Sequence, residues 1–471
     1  MNKSKINMTE GPLFGKILKF VLPLMVTNLL QVFYNAADMI IVSLSHEPNA
    51  VGAIGLTAPM INLFVNIFIG FSVGANVVVA RNIGIGDQKN VSRAVHTSIC
   101  VSVIFGITGG LIGILSARPI LIIMGNSGNM LKLAVKYVTI YFIGTPFLAI
   151  TNYVVAILRG EGDTKTPLFV MSGTGLLNVL LNLFFVLACG LSVEGVALAT
   201  TIANAASAVF LLICLARKRS DCKFSFKKLK IDKTALISII QIGLPAGIQG
   251  ALFSLSNLII QSSIIKVNNM VTPADVTYQP VVKGNAAAGN LEGFAYTATN
   301  SVYQAATSFT GQNAGAKKYK RISSVMKNCY FITFCIAGFF TAFMLILKGP
   351  LLSLYGVAAS ENTADMIAFE TATTRFLYMF SCYFLLAFME IGSGVLRGFG
   401  KSLTATFVTL FFTCIFRIVW IFTAFAAFPS LGVIYISYPI SWGMSALINF
   451  ICCVVIQKKH IKEQETQTVS E

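Results

Sequence analysis

The chain reads as an all-α integral membrane protein of twelve spanning helices, arranged as two six-helix lobes. Three observations predict this. Of 471 residues, 55% are hydrophobic and only 11% charged, with mean hydropathy +0.77; soluble domains carry about 25% charged residues. Apolar segments of bilayer length recur along the whole sequence. The second half also echoes the first, motif by motif.

The apolar segments fall at about 16–45, 50–80, 91–116, 131–157, 166–190 and 192–217, then 234–264, 284–314, 322–347, 366–394, 402–428 and 431–457. Each is long enough to cross a hydrocarbon layer of roughly 30 Å. A basic stretch, RKRSDCKFSFKKLKIDK, separates the two sets of six. The organisation expected is therefore a cytoplasmic N-terminus (1–15), an N-lobe (16–217), a basic linker (218–233), a C-lobe (234–457) and a polar, disordered cytoplasmic tail (458–471). The polar, basic start runs straight into the first span, which is not the pattern of a cleavable leader.

Net charge is +17, but its distribution argues against nucleic acid. Basic residues crowd into one set of alternating loops: Lys16 and Lys19, Arg81 and Lys89, Arg159 and Lys165, the central linker, Lys317 to Arg321, Arg397 and Lys401, Lys458 and Lys459. The opposite set holds only Arg118, Lys132, Lys136, Lys266, Lys283 and Lys348. By the positive-inside rule both termini are cytoplasmic, and the excess is a topology signal strengthened by anionic lipid.

The halves match in order. LPLMVTNLL at Leu22 is echoed by LPAGIQGAL at Leu244, ARNIGIGDQKN at Ala80 by TGQNAGAKKYK at Thr310 (Gly84 opposite Gly315), and LRGEGDTKTP at Leu158 by LRGFGKSLTA at Leu396. Six spans return the chain to its starting side. The halves should then be related by a pseudo-two-fold axis along the membrane normal, with a cavity between them near mid-depth.

Chemistry is expected where polar residues interrupt these spans. The first span carries one carboxylate, Asp38, near Tyr34 and Asn35, and an early kink at Pro23. An ionised Asp at mid-bilayer costs roughly 2.5–3.5 kcal/mol on insertion scales, so such a group is a functional candidate by default. On the fifth span Asn178 and Asn182 are four apart and share a face; the sixth carries Thr200, Thr201 and Asn204. With Asp38 these make an oxygen-rich patch, although each Asn alone reads as interhelical glue. In the second half, Gln249 and Asn257 lie on the seventh span. Glu292 lies within about two turns of the outer end of the eighth, where hydration or gating would explain it. Glu390 and Arg417, on the tenth and eleventh spans, form a candidate structural ion pair.

Other motifs are decoys. GFGKS at Gly398 lacks the upstream glycine of a phosphate loop, since that position is Val395, and it follows a helix rather than a strand. Ten Cys sit mostly within apolar spans as small apolar residues, and His46, His96 and His460 are too scattered for a ligand cluster. No catalytic constellation, cofactor motif or metal site emerges, so an enzyme is not expected. An ion channel would need a ring of pore-lining residues.

Two six-helix halves, LPLMVTNLLQVFYNAAD, LRGEGDTKTP, GQNAGA, LRGFGKS and ISYPISW together resemble the multidrug and toxic compound extrusion (MATE) transporters, over about residues 12–455. The resemblance implies drug export from the cell membrane by antiport against protons or sodium ions, as the lobes rock between access states. It implies a cation-coupling site at Asp38, Asn178, Asn182 and Thr200, with sodium as one possible occupant. Many relatives have Asp at the position of Asn182, and its loss leaves Asp38 the single carboxylate of that site. Tyr34, Asn35, Asn204, Gln249, Asn257 and Glu292 become candidates for lining the substrate cavity, and Pro23, Glu390 and Arg417 for structural or gating roles. Small organic cations, protons or sodium, and membrane lipid are the partners expected, with a monomer as the working unit. The alternative within the superfamily is a flippase for lipid-linked oligosaccharide or lipid, which would place cations in the central cavity.

Overall fold

A computed structural model describes residues 5–45, 47, 49–123, 128–273, 276 and 278–470; His46 lies outside them. Among these residues all regular structure is helical. That is the outcome lipid imposes, because a helix satisfies its own backbone donors and acceptors where no water can.

The chain forms two compact units. The first comprises Met1–Ala251 with Ser308–Lys318, the second Leu252–Thr307 with Tyr319–Glu471. The first contains α1 (Leu13–Ser43), α2 (Ala50–Ile85), α3 (Gln88–Ile123), α4 (Gly128–Ile143), α5 (Thr145–Glu161), α6 (Lys165–Leu183) and α7 (Val193–Arg217). Two longer helices, α8 (Lys233–Val271) and α9 (Pro280–Gly315), contribute to both units. The second unit continues with α10 (Tyr319–Ile346), the short α11 (Lys348–Ser353), α12 (Thr363–Phe380), α13 (Tyr383–Gly398), α14 (Ser402–Leu410), α15 (Phe416–Trp420) and α16 (Leu431–Ser470).

Among the described residues nine helices are long and apolar enough to span a membrane, and eleven if two bent pairs count as single spans. The pairs are α4–α5, bent by 48°, and α12–α13, bent by 50°. The first bend falls at Gly144–Pro146, where a glycine and a proline interrupt the ladder. The remaining long segment, α9, is 36 residues long but rich in Asn, Gln, Thr and Gly. Large side chains such as Leu115, Phe169, Phe407 and Phe422 stand outward, 70–78% exposed, as a lipid-facing surface requires.

Within the first unit α2 and α3 pack on α5, α1 on α6, and α6 on α7. The C-terminal end of α9 joins this unit through α2 and α5. Asn76 donates to Ser308 at 3.1 Å, and Gln312 Nε2 donates to the Gly160 carbonyl at 2.8 Å. Contact is backbone to backbone: a Cβ on Gly84 would strike the Gln312 carbonyl oxygen, and one on Gly315 the Arg81 carbonyl oxygen. The glycines that sequence alignment set opposite each other thus face each other across one helix crossing. The segment before α1 closes over the same region. Ile6 N–H bonds the Gly162 carbonyl at 3.2 Å, Asn313 bonds the Met8 carbonyl at 3.1 Å, and the Met8 side chain is fully buried. Gly162 has φ +98°, a left-handed turn that glycine adopts at no steric cost.

The basic linker is not a free loop. Lys218 is buried between Glu161 (2.6 Å) and Asp163 (2.8 Å), and Thr166 caps Asp163 with its N–H and hydroxyl. Burial would raise the Asp163 carboxyl, but Lys218 and Thr166 together hold it below the usual aspartate range. Burial likewise opposes the Lys218 charge, and the two carboxylates outweigh it and push its pKa up. Further on, Ser225 N–H donates to His96 Nε2 at 3.1 Å while His96 Nδ1 bonds the Ser92 carbonyl at 2.7 Å. Phe224 stacks on the His96 ring.

In the second unit α13 packs on α10 and α16, and α12 on α16. The tail expected to be disordered continues α16 as helix. Its KKHIKEQET sequence is made of good helix formers. Gln457 bonds the Tyr319 carbonyl at 2.6 Å, and His460 stacks on Tyr319 with ring centroids 5.0 Å apart.

Two outcomes test this packing. Gly315→Leu should lower the melting temperature of the detergent-purified protein sharply. Gly338→Leu, with nothing within 4 Å of its Cβ, should leave it nearly unchanged. Lys218→Met strands two buried carboxylates and should cost about 3–5 kcal/mol at neutral pH. The depressed Asp163 stabilises the fold above the ordinary aspartate pKa, and that contribution disappears as pH falls through its folded value. The gap between wild type and Lys218→Met should therefore narrow on acidification, as read by thermal melts across pH.

Candidate functional site

The four residues assigned to cation coupling from three separate spans are joined in one string within the first unit. Asn182 Nδ2 donates to Asp38 Oδ1 at 2.5 Å and lies 3.4 Å from Asn178 Oδ1; Asn178 Nδ2 lies 3.4 Å from Thr200 Oγ1. The sequence places them there through helix geometry. Asn178 and Asn182 are one turn apart on α6, so both face the seam between α1 and α7. Both are buried, and Asn182 is fully so. Its Oδ1 is buried without a hydrogen-bond partner among the described residues. The site therefore holds one carboxylate, one amide donor bound to it, and one spare carbonyl acceptor.

Immediately after Asn182 the helix widens into a π turn, Phe184–Ala188. Such turns shift the register of side chains and recur at functional sites. Tyr137 and Tyr141, one turn apart on α4, pack in the apolar cluster that holds Met39 and Ile41 of α1, next along the helix from Asp38. Sequence reasoning missed this pair. Its signal was the i, i+4 spacing of two hydroxyl-bearing rings on one apolar helix.

The other candidates scatter. Tyr34 packs flat against Gly175 on α6, and its hydroxyl donates to the Ser172 carbonyl at 3.2 Å, so it joins α1 to α6. Asn35 is exposed and Asn204 half-buried. Gln249 falls in the first unit and Asn257 and Glu292 in the second. Pro23 lies inside a continuous α1, where Thr27 Oγ1 bonds the Pro23 carbonyl at 2.8 Å.

Two expectations for the second unit need correction. Glu292 is not near a helix end. Because α9 begins at Pro280, the residue lies more than three turns in, and it pairs with Arg375 at 2.7 Å. Arg375 also donates to Asn285 Oδ1 at 2.8 Å, which accepts from Tyr435 at 3.0 Å as well. Nor do Glu390 and Arg417 form an ion pair. Arg417 Nε donates to Ser441 Oγ at 2.8 Å, and its guanidinium lies 4.0 Å from the Tyr438 ring centroid. An intrahelical count could not show that α16, rather than α13, offers Arg417 its partners. Glu390 lies on α13, and no ion pair joins it to Arg417 among the described residues. Arg397 is bonded to the Tyr303 hydroxyl.

Among the described residues no group of three or more His, Cys, Asp and Glu could hold a metal ion. GFGKS lies at the end of α13, where Gly400 adopts φ +77° to turn the chain into α14.

An infrared test follows from the string. On acidification, the C=O stretch of protonated Asp38 should move to higher frequency in Asn182→Leu, which removes its hydrogen bond, and should vanish in Asp38→Asn. An unmoved band in Asn182→Leu would break the string at its first link.

Comparison with known proteins came down on one family. The MatE family model matches residues 23–184 and 245–423. A probable multidrug resistance protein of Bacillus subtilis, YoeA, is 24% identical over 92% of this chain and 91% of its own length. Multidrug export protein MepA of Staphylococcus aureus is 28% identical over 55% of this chain and 58% of its own. A crystal structure of MATE in complex with MaL6 superposes with TM-score 0.88 at 21% identity, covering 98% of this chain and all of that one.

Proposed function

This chain belongs to the MatE family of membrane transporters, and on that footing we propose that it is a secondary active multidrug exporter driven by cation antiport. Protons or sodium ions enter as lipophilic or cationic drugs leave, with access alternating between the two sides of the cell membrane. Both termini face the cytoplasm in this reading, in line with the distribution of basic loops, and a single chain suffices.

The observation that carries the reading is the Asp38–Asn182–Asn178–Thr200 string. An ionised Asp38 only accepts hydrogen bonds; a protonated one also donates. The unpartnered Asn182 Oδ1 is the acceptor such a proton would seek, and it is equally an oxygen for a sodium ion. Loading the cation therefore changes what Asn182 bonds to, and the change passes along α6 to Thr200 on α7. On α1, Pro23 leaves one carbonyl without its intrahelical donor, which provides a bending point between the site and the inner end.

Coupling needs the ion and the drug to favour different states. To swing a carrier from 1:99 to 99:1, a ligand must bind one state about 10⁴-fold more tightly than the other. A charge that is neutralised in a desolvated seam supplies differential affinity on that scale more readily than any single neutral contact.

The test is efflux of a fluorescent lipophilic cation from proteoliposomes under an imposed pH gradient or an imposed sodium gradient. Export should follow one gradient and be abolished in Asp38→Asn, which should remain folded and monodisperse. Wild-type efflux by Asp38→Asn would sink the assignment of Asp38. Export under neither gradient would favour the flippase.

A further inference from the structure

The second unit builds a polar centre from the same pieces of the repeat as the first, but with the opposite sign of charge. Matching LRGEG to LRGFG sets α6 and its π turn opposite α14–α15, and α7 opposite α16. The likeness extends to backbone detail. The π turn Phe184–Ala188 of the first half has a counterpart at Ile421–Phe425, and a further π turn, Phe411–Ile415, precedes α15. Arg417 thus sits in a five-residue α segment with a π turn on each side, an arrangement that marks functional positions. As α7 gives Thr200 to the first site, α16 gives Tyr438 and Ser441 to Arg417.

The charges do not balance. In the first unit α1 brings a carboxylate, Asp38; its counterpart in the repeat, α8, contains no Asp or Glu. Arg417 is 2% exposed, and no carboxylate lies within ion-pair distance among the described residues. Glu292 is bonded to Arg375 instead. One face of the guanidinium is covered by Tyr438, its Nε is tied to Ser441, and Nη2 is buried with no hydrogen-bond partner among the described residues. A desolvated cation with a free, directional donor is costly in a membrane interior unless an anion completes it. A guanidinium is suited to a carboxylate or another small anion.

We propose that Arg417, with Ser441 and Tyr438, forms a second binding site that takes a small monovalent anionic group, either a carboxylate on a transported molecule or a free halide. The carboxylate source rests on the drug-export reading; the halide source does not.

The chain provides its own reporter. It has two tryptophans, and the ring of one, Trp442, lies 5.8 Å from the Arg417 guanidinium. In a Trp420→Phe background, purified full-length protein in chloride-free gluconate buffer is titrated with iodide, which quenches indole fluorescence on contact. Saturable quenching is expected, weakened at least about tenfold in Arg417→Met, as loss of a charge-assisted bond implies, and partly retained in Arg417→Lys. Displacement of iodide by benzoate at lower concentration than by chloride assigns the site to a carboxylate; the reverse order assigns it to a halide. Quenching linear in iodide would overturn the proposal, as would saturable quenching unchanged in Arg417→Met. Should Arg417→Met fail to fold, saturation and competition in the Trp420→Phe protein decide alone. Export of a purely cationic dye by that protein checks the transport reading separately, because no step of the quenching assay requires transport.

Discussion

A polar side chain carried into a lipid-spanning bundle has little water to bond to, so it is left to find a backbone carbonyl, another side chain or a bound ion. This constraint orders both units of the protein. In the first, Asp38 is met by Asn182, Asn182 by Asn178, and Asn178 by Thr200, which ties α1, α6 and α7 together. In the second, Glu292 is met by Arg375, and Asn285 by Arg375 and Tyr435, which ties α9, α12 and α16. Asn182 Oδ1 and Arg417 Nη2 are among the buried polar atoms left without a partner among the described residues, and the proposed cation and anion sites rest on them.

The repeat explains why two such centres exist, and divergence within it explains why they differ. Each half threads an LRGxG turn into a helix that carries a π turn, followed by a helix that supplies hydroxyls. A lone carboxylate on α1 makes one centre acidic, while the absence of any acid from α8 and the presence of Arg417 make the other basic.

Close backbone contact sets the frame around these centres. Gly84 and Gly315 bring α2 and α9 together with no side chain between them, and Asn76 bonds across the same crossing to Ser308, while Gln312 ties α9 to α5 and Asn313 ties it to the segment before α1. The buried Glu161–Asp163–Lys218 cluster does comparable work at the linker, where water can no longer screen the charges. Desolvation offsets much of its Coulombic gain, but removing one partner would strand a buried charge, which costs far more than losing a surface pair.

The sequence by itself determined the fold class, the number of long segments, the repeat and three members of the first polar string, Asp38, Asn178 and Asn182; Thr200 was picked out from Thr201 and Asn204 only by the family resemblance. Hydropathy and helical periodicity are local properties, and lipid permits few alternatives to a helix. Asp38 was legible because a carboxylate in an apolar span is rare, and Asn178 with Asn182 because one helical turn puts them on one face. Tertiary structure decided what those properties cannot reach: that Tyr137 and Tyr141 pack beside Met39 and Ile41 of α1, that Glu292 belongs to Arg375, and that Arg417 turns to Tyr438 and Ser441 rather than to Glu390. Which helix face meets which neighbour depends on crossing angles, on bends such as that between α4 and α5, and on π turns that shift the register of a face. Those are set by packing between distant segments, where the periodicity of one segment carries no information.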